Sequence, residues 1–219
     1  MLTTLPASRQ TGFTLVEITI TLSIIGLLIG GVLKGQEMIN NARLKRIQAD
    51  NTGISTAIRV YQDRYGLLPG DDNKVTSRFS VYVDGINDPE ASDINGNGDG
   101  RFDGDWIGAA DSETANLWKH LRAAGIVAGN GDDDRQPTNA FSGNIGVRSD
   151  SLKIFGGVIV FGLVDGTVAT ILEARHDDGN PSTGYIQSDI SAQLMNGTTS
   201  SSAGTSYNQS SLYFVSIKM

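Results

Sequence analysis

FTLVEITITLSIIGLLIGGVL, from Phe13 to Leu33, carries a single charged side chain, Glu17, in 21 residues. As a helix the segment rises roughly 31 Å, about the hydrocarbon thickness of a bilayer. The apolar region of a secretory signal peptide is shorter, about 7–15 residues, and closes in a small-x-small cleavage site. No such site follows Leu33. A buried core helix rarely stays apolar on every face for so long. The segment reads as a membrane-inserted helix, and Glu17 is its anomaly. A carboxylate in the outer part of an apolar span costs a few kcal/mol (about 3 at the centre), so it needs a partner or a purpose.

A partner is offered by what precedes the span. Residues 1–12, MLTTLPASRQTG, are short and polar, carry Arg9, and end in Gly12. A cut after Gly12 would make Phe13 the amino terminus, one helical turn from Glu17 on the same face. In a bundle of identical helices, Glu17 of one chain then neutralises the Phe13 ammonium of another, which offsets much of the desolvation of both charges.

Gly12-Phe13-Thr14-Leu15-Val16-Glu17 resembles the processing motif of type IV prepilins and type II secretion pseudopilins. The resemblance implies that a prepilin peptidase cuts after Gly12 and N-methylates Phe13, and that Glu17 guides subunit docking into a helical filament. It also implies a precursor in the bacterial inner membrane with a periplasmic globular part. Membrane lipid, an inner-membrane assembly platform, copies of the chain and other pilin-like subunits are its partners, and a pilus or pseudopilus is its destination. Many members carry proline about 22 residues into the mature helix, where this chain has Lys34; Gly30, Gly31 and Gly35 are expected to loosen the helix there. Lys34, Arg43, Lys45 and Arg46 beyond the span outweigh Arg9 before it. A positive-inside count alone would therefore reverse the orientation that the motif implies.

Residues 34–65 continue as an amphipathic helix, with Met38, Ile39, Ala42, Ile47, Ile54, Ala57, Ile58, Tyr61 and Tyr65 mostly at steps of three, four and seven. Gly53 is a weak point, and Gly66 with Pro69-Gly70 ends the helix. The globular part, 66–219, opens on an acidic stretch. Residues 71–134 hold fourteen acidic side chains against five basic ones. Within it, Asp93, Asn95, Asn97, Asp99, Arg101, Asp103 and Asp105 alternate largely with glycine. Oxygen-bearing groups at alternate positions converge on a hard cation where glycines permit tight turns. Counted from Asn95 the loop follows an EF-hand at positions 1, 3, 5 and 6, but Trp106 stands where the bidentate glutamate belongs. The expected ion is Ca²⁺, with Asp99 and Asp103 as leading ligands; the competing reading is a solvated Asx/Gly turn.

Asp111-Ser112 is expected to cap a short helix through Ala124, which carries His120 as a packing or surface residue. Leu152–Phe161 and Thr167–Leu172 read as strands joined by a hairpin-type turn at Asp165-Gly166, and Leu212–Ile217 as a closing strand. His176–Pro181 reads as an ordinary turn in preference to a second cation site on Asp177 or Asp178. Residues 196–211 are a polar low-complexity loop. The Tyr65–Asp71 segment, the Asn-Gly-Asp-Gly stretch and Asp177–Pro181 are similar to a calcium-loop-bearing branch of the same family. The fold expected is α+β and pilin-like: a long N-terminal helix on a small antiparallel sheet domain with acidic loops.

Composition narrows the function. The chain has 219 residues and no cysteine, which excludes thiol chemistry and Cys-ligated zinc, and its two histidines leave little material for a His-rich metal site or a catalytic relay. A formal charge of −7 argues against general nucleic-acid binding, which needs Lys and Arg for phosphates. No G-x-S-x-G elbow, H-E-x-x-H pair or phosphate loop occurs, so a structural subunit is favoured over a membrane-tethered enzyme. A secretion pseudopilin and a minor tip or adhesin subunit are the alternatives.

Overall fold

A computed structural model describes residues 14–79, 94–107, 112–190 and 206–219. The chain divides into two compact units, one up to Asn41 and one from Ala42 onward, and α1 (Leu15–Tyr65) contributes to both.

In the first unit, Thr14 starts the helix by accepting the Glu17 backbone N–H on its Oγ1 at 3.2 Å. Thr-x-x-Glu is the composition of a capping box, which satisfies orphan donors of the first turn. Thr19, Thr21 and Ser23 each donate a hydroxyl to the carbonyl four residues back, at 2.7–2.9 Å. These hydroxyls need no external partner, which is how polar residues remain in an apolar span. The helix runs unbroken through Gly26, Gly30, Gly31, Lys34 and Gly35, so the expected loosening at the glycines does not interrupt it. Lys34 pairs instead with Glu37, one turn on, at 2.8 Å.

In the second unit α1 buries Leu44, Ile47, Ile54, Ala57, Ile58 and Tyr61, a stripe at helical spacing. The stripe meets Leu117, Trp118 and Leu121 of α3 (Glu113–Ala123) and one face of a four-stranded antiparallel sheet. The strands are β1 (Ile145–Ser151), β2 (Ile154–Asp165), β3 (Ile186–Ile190) and β4 (Leu212–Lys218), in the order β1-β2-β4-β3. Over 158–161 alternation sorts β2: Ile159 and Phe161 face the main core, whereas Val158 and Val160 pack with Trp106, Ile154 and Phe214 on the other side; past the register shift Val164 returns to the main core. With a long N-terminal apolar helix and this sheet, the fold is the α+β, pilin-like layout expected from the sequence.

Two local expectations are corrected. The segment read as a strand over 167–172 is helical, within α4 (Gly166–His176), and Asp165-Gly166 is its start rather than a hairpin turn. Asp165 accepts the Thr167 N–H at 2.9 Å as N-cap, and Val168, Ala169, Leu172 and Glu173 form a buried stripe. Gly166 is required by close approach, since a Cβ there would lie 2.1 Å from the Asn208 carbonyl oxygen. The hairpin lies earlier, between β1 and β2, where Leu152 takes φ 54°, a conformation usually given to Gly or Asn. The remaining helix, α2 (Val75–Arg78), is a single turn.

Candidate functional site

Three places carry the candidate groups. At the N-terminal motif, Gly12 and Phe13 lie outside the described residues. Glu17 sits in the first turn of α1, at the end where a helix favours negative charge. Around it the span is wholly solvent-facing in the isolated chain, with Leu15, Val16, Ile18, Ile20 and Leu22 all exposed. By length and composition this helix can cross a membrane.

The second place is the acidic loop, of which residues 94–105 are described and Asp93 is not. Its main chain is gathered by carboxylates from outside it. Asp71 is fully buried and accepts the Gly98 and Asp99 N–H groups on Oδ1, at 2.6 and 3.0 Å, and the Gly100 N–H on Oδ2 at 2.8 Å. Glu113 accepts the Asn97 and Asp103 N–H groups, both at 2.9 Å. Burial pushes the Glu113 carboxyl above its ordinary value, against the pull of those donors. The loop's own acids mostly make local turns. Asp99 accepts the Arg101 N–H, Asn97 accepts the Asp99 N–H, Asp105 accepts the Trp106 N–H, and Asp103 accepts from the Asn97 amide. Asn95 is bonded to Thr76, and the Arg101 guanidinium pairs with Asp150 at 2.5 Å. Gly98, Gly100 and Gly104 take positive φ, supplying the tight turns.

His120 anchors the same region. It is fully buried; Gly70 donates its N–H to Nδ1 at 2.7 Å, which assigns the ring proton to Nε2, and Nε2 donates to the Ile94 carbonyl at 2.9 Å. Burial lowers its pKa to about 4, below the ordinary 6.5. As pH falls through 6.5 the unfolded chain takes up a proton that the folded ring refuses, so stability is full above that pH and declines towards 4. Gln can reproduce both hydrogen bonds without titrating. Between pH 7 and about 4, wild type is expected to lose about 3 kcal/mol relative to His120→Gln. Urea unfolding of both chains across that range measures this, and parallel pH profiles would contradict it.

The third place is the end of α4. One carboxylate oxygen from each of Glu173, Asp177 and Asp178 lies within 4.8 Å of the other two. Among the described residues the acidic loop contains no such trio. Glu173 is fully buried, and burial raises its pKa to about 8, opposed by a hydrogen bond from Tyr207.

Among comparisons with known proteins, the family model of the prokaryotic N-terminal methylation motif matches residues 7–33. The matched segment carries the prepilin-type signature found in type IV pilins and pseudopilins. No curated protein and no solved structure matches it.

Sequence reasoning located the motif and the loop but missed Asp71, Glu113 and Glu173. Asp71 had a usable signal: it follows the helix-ending Pro69-Gly70 and is paired with Asp72, an acidic doublet where a chain reverses. Glu113, next to the Ser112 cap, was visible only as a first-turn acid of α3.

Proposed function

We propose that the chain is a structural subunit of a type IV pilus-like filament, cut after Gly12 by a prepilin peptidase, N-methylated at Phe13 and assembled through α1. The observation that carries this reading is the span Leu15–Leu33. It bears a methylation motif at its head, and the chain's own fold buries none of its large apolar side chains. A bilayer, and then the apolar helices of other subunits, would cover that surface. Such a subunit waits in the inner membrane with its sheet domain in the periplasm, and meets an assembly platform and other pilin-like subunits.

Calcium at the acidic loop is a further part of the proposal. Asp99, Asp103 and Asp105 are exposed, Asn97 stands among them, and the turns at Gly98, Gly100 and Gly104 supply tight curvature. Asp93, Asn95 and the Arg101 main chain complete the proposed donor set. Because Asp71 and Glu113 already hold the backbone, calcium there would trim mutual repulsion rather than build the loop.

Intact-mass analysis and N-terminal peptide mapping of protein recovered from its native host test the filament reading. The expected terminal peptide begins at Phe13 and carries one methyl group. A chain that still begins at Met1 would reduce the span to a plain anchor.

A further inference from the structure

The carbonyl end of α4 gathers three carboxylates, alongside Arg175 and His176 of its last turn. A helix C-terminus is its negative pole, where cations are stabilising and anions are not. Glu173 stands in the last turn, Asp177 is the C-cap and Asp178 follows. None of the three is in an ion pair among the described residues. Glu173 is 0% exposed; its Oε2 accepts from the Tyr207 hydroxyl at 3.2 Å, and its Oε1 is buried with no hydrogen-bond partner. A buried carboxylate oxygen left unpaired is unfavourable until a proton or a cation reaches it.

The surrounding turn holds the other two carboxylates in place. Asp177 accepts the Ile186 N–H on Oδ2 at 2.7 Å, and it lies so close over Gly184 that a Cβ there would come within 2.1 Å of that oxygen. Asp178 accepts the Asn180 N–H on Oδ1 at 2.8 Å and the Thr183 hydroxyl on Oδ2 at 2.5 Å. Asp177 is half-buried and Asp178 exposed, so an ion entering from solvent would meet these two first and Glu173 last.

We propose that Glu173, Asp177 and Asp178 bind a calcium ion. The donors are carboxylate oxygens only, the set preferred by a hard cation, and a flexible shell completed by water suits Ca²⁺. The ion joins the end of α4 to the turn that leads into β3. With three protein carboxylates and the rest water, its affinity falls near the weak end of calcium modules, about 10⁻⁴–10⁻³ M. The site shares no residue with the N-terminal motif or the acidic loop, so it stands apart from the filament reading.

The full chain in detergent, stripped with EDTA and dialysed against CaCl₂ at about 2 mM, above that affinity range, allows bound calcium to be counted by elemental analysis. Glu173→Gln is expected to remove one bound ion, and Asp99→Asn with Asp103→Asn to leave that ion in place. Without calcium, Glu173→Gln is expected to melt close to or above wild type, because the neutral amide avoids a carboxyl buried beside Asp177 and Asp178. With calcium, wild type gains several degrees more than the variant. Asp178→Asn, at an exposed position, reads the same site if Glu173→Gln does not fold, and weakens binding at least tenfold. Equal calcium counts in wild type and both variants would overturn the site, as would a wild-type chain that binds no calcium at this concentration.

Discussion

Asp71→Ala is expected to destabilise the globular domain by about 3–5 kcal/mol, in the presence or absence of calcium. The substitution removes a fully buried carboxylate that accepts three consecutive backbone N–H groups, from Gly98, Asp99 and Gly100. Each orphaned donor costs roughly 1–3 kcal/mol, reduced where the loop can relax and admit water. The tie also acts through backbone packing: a Cβ at Gly96 would stand 2.3 Å from the Asp71 Cα, so loop and anchor are in close contact. The neighbouring Asp72 accepts from Tyr61 at 2.9 Å and from Arg78 at 2.6 Å, linking the same corner to the end of α1. Loosening the loop therefore disturbs a junction of α1, α2 and α3 rather than a free surface turn. In a domain of this size 1 kcal/mol corresponds to roughly 2–4 °C, so a melting shift on the order of 10 °C is expected. Asp71→Asn, which keeps one acceptor oxygen, should lose about half as much. Thermal unfolding of the full chain in detergent measures both; a shift below about 2 °C for the alanine variant would mean that the loop carries its own fold.

The contrast between Asp71 and the acids within 95–105 shows what a one-dimensional reading can reach. Alternating Asx and Gly marks a tight loop, and tight turns are what Gly98, Gly100 and Gly104 make. What gathers that loop is an acid more than twenty residues earlier, and no spacing rule connects the two. The same limit explains the strands. Leu212–Lys218 was legible because four of its five buried residues, Tyr213, Phe214, Val215 and Ile217, are apolar or aromatic. Ile186–Ile190 was not, because it buries Gln187, Ser188 and Asp189, which mimic a turn. In 167–172 the β-branched residues favoured a strand, and the Asp165 cap with burial of Val168, Ala169 and Leu172 against the core won the segment for a helix. The N-terminal helix was the most legible element, since 21 nearly uncharged residues leave few other structures open.

Glu17→Ala is expected to cut incorporation into filaments at least tenfold at equal expression while leaving the chain folded. The two halves of that expectation have separate causes. Thr14 caps the helix through its own hydroxyl and the backbone N–H of residue 17, a bond that survives loss of the Glu17 side chain. The second unit draws its core from Leu44 onward, so the substitution removes none of its packing. The variant should therefore match wild type in domain melting temperature. What is lost under the filament reading is the charge that pairs with the Phe13 ammonium of another subunit. An unpaired ammonium carried into an apolar bundle costs several kcal/mol, and each 1.4 kcal/mol is tenfold in an equilibrium constant. Glu17→Gln separates charge from hydrogen bonding: it retains an acceptor oxygen, and should assemble nearly as poorly as alanine if neutralisation is the requirement. Quantifying sheared filaments against membrane-retained protein reads all three chains together. Normal incorporation of Glu17→Ala would show that apolar packing of α1 suffices and that the carboxylate has another task.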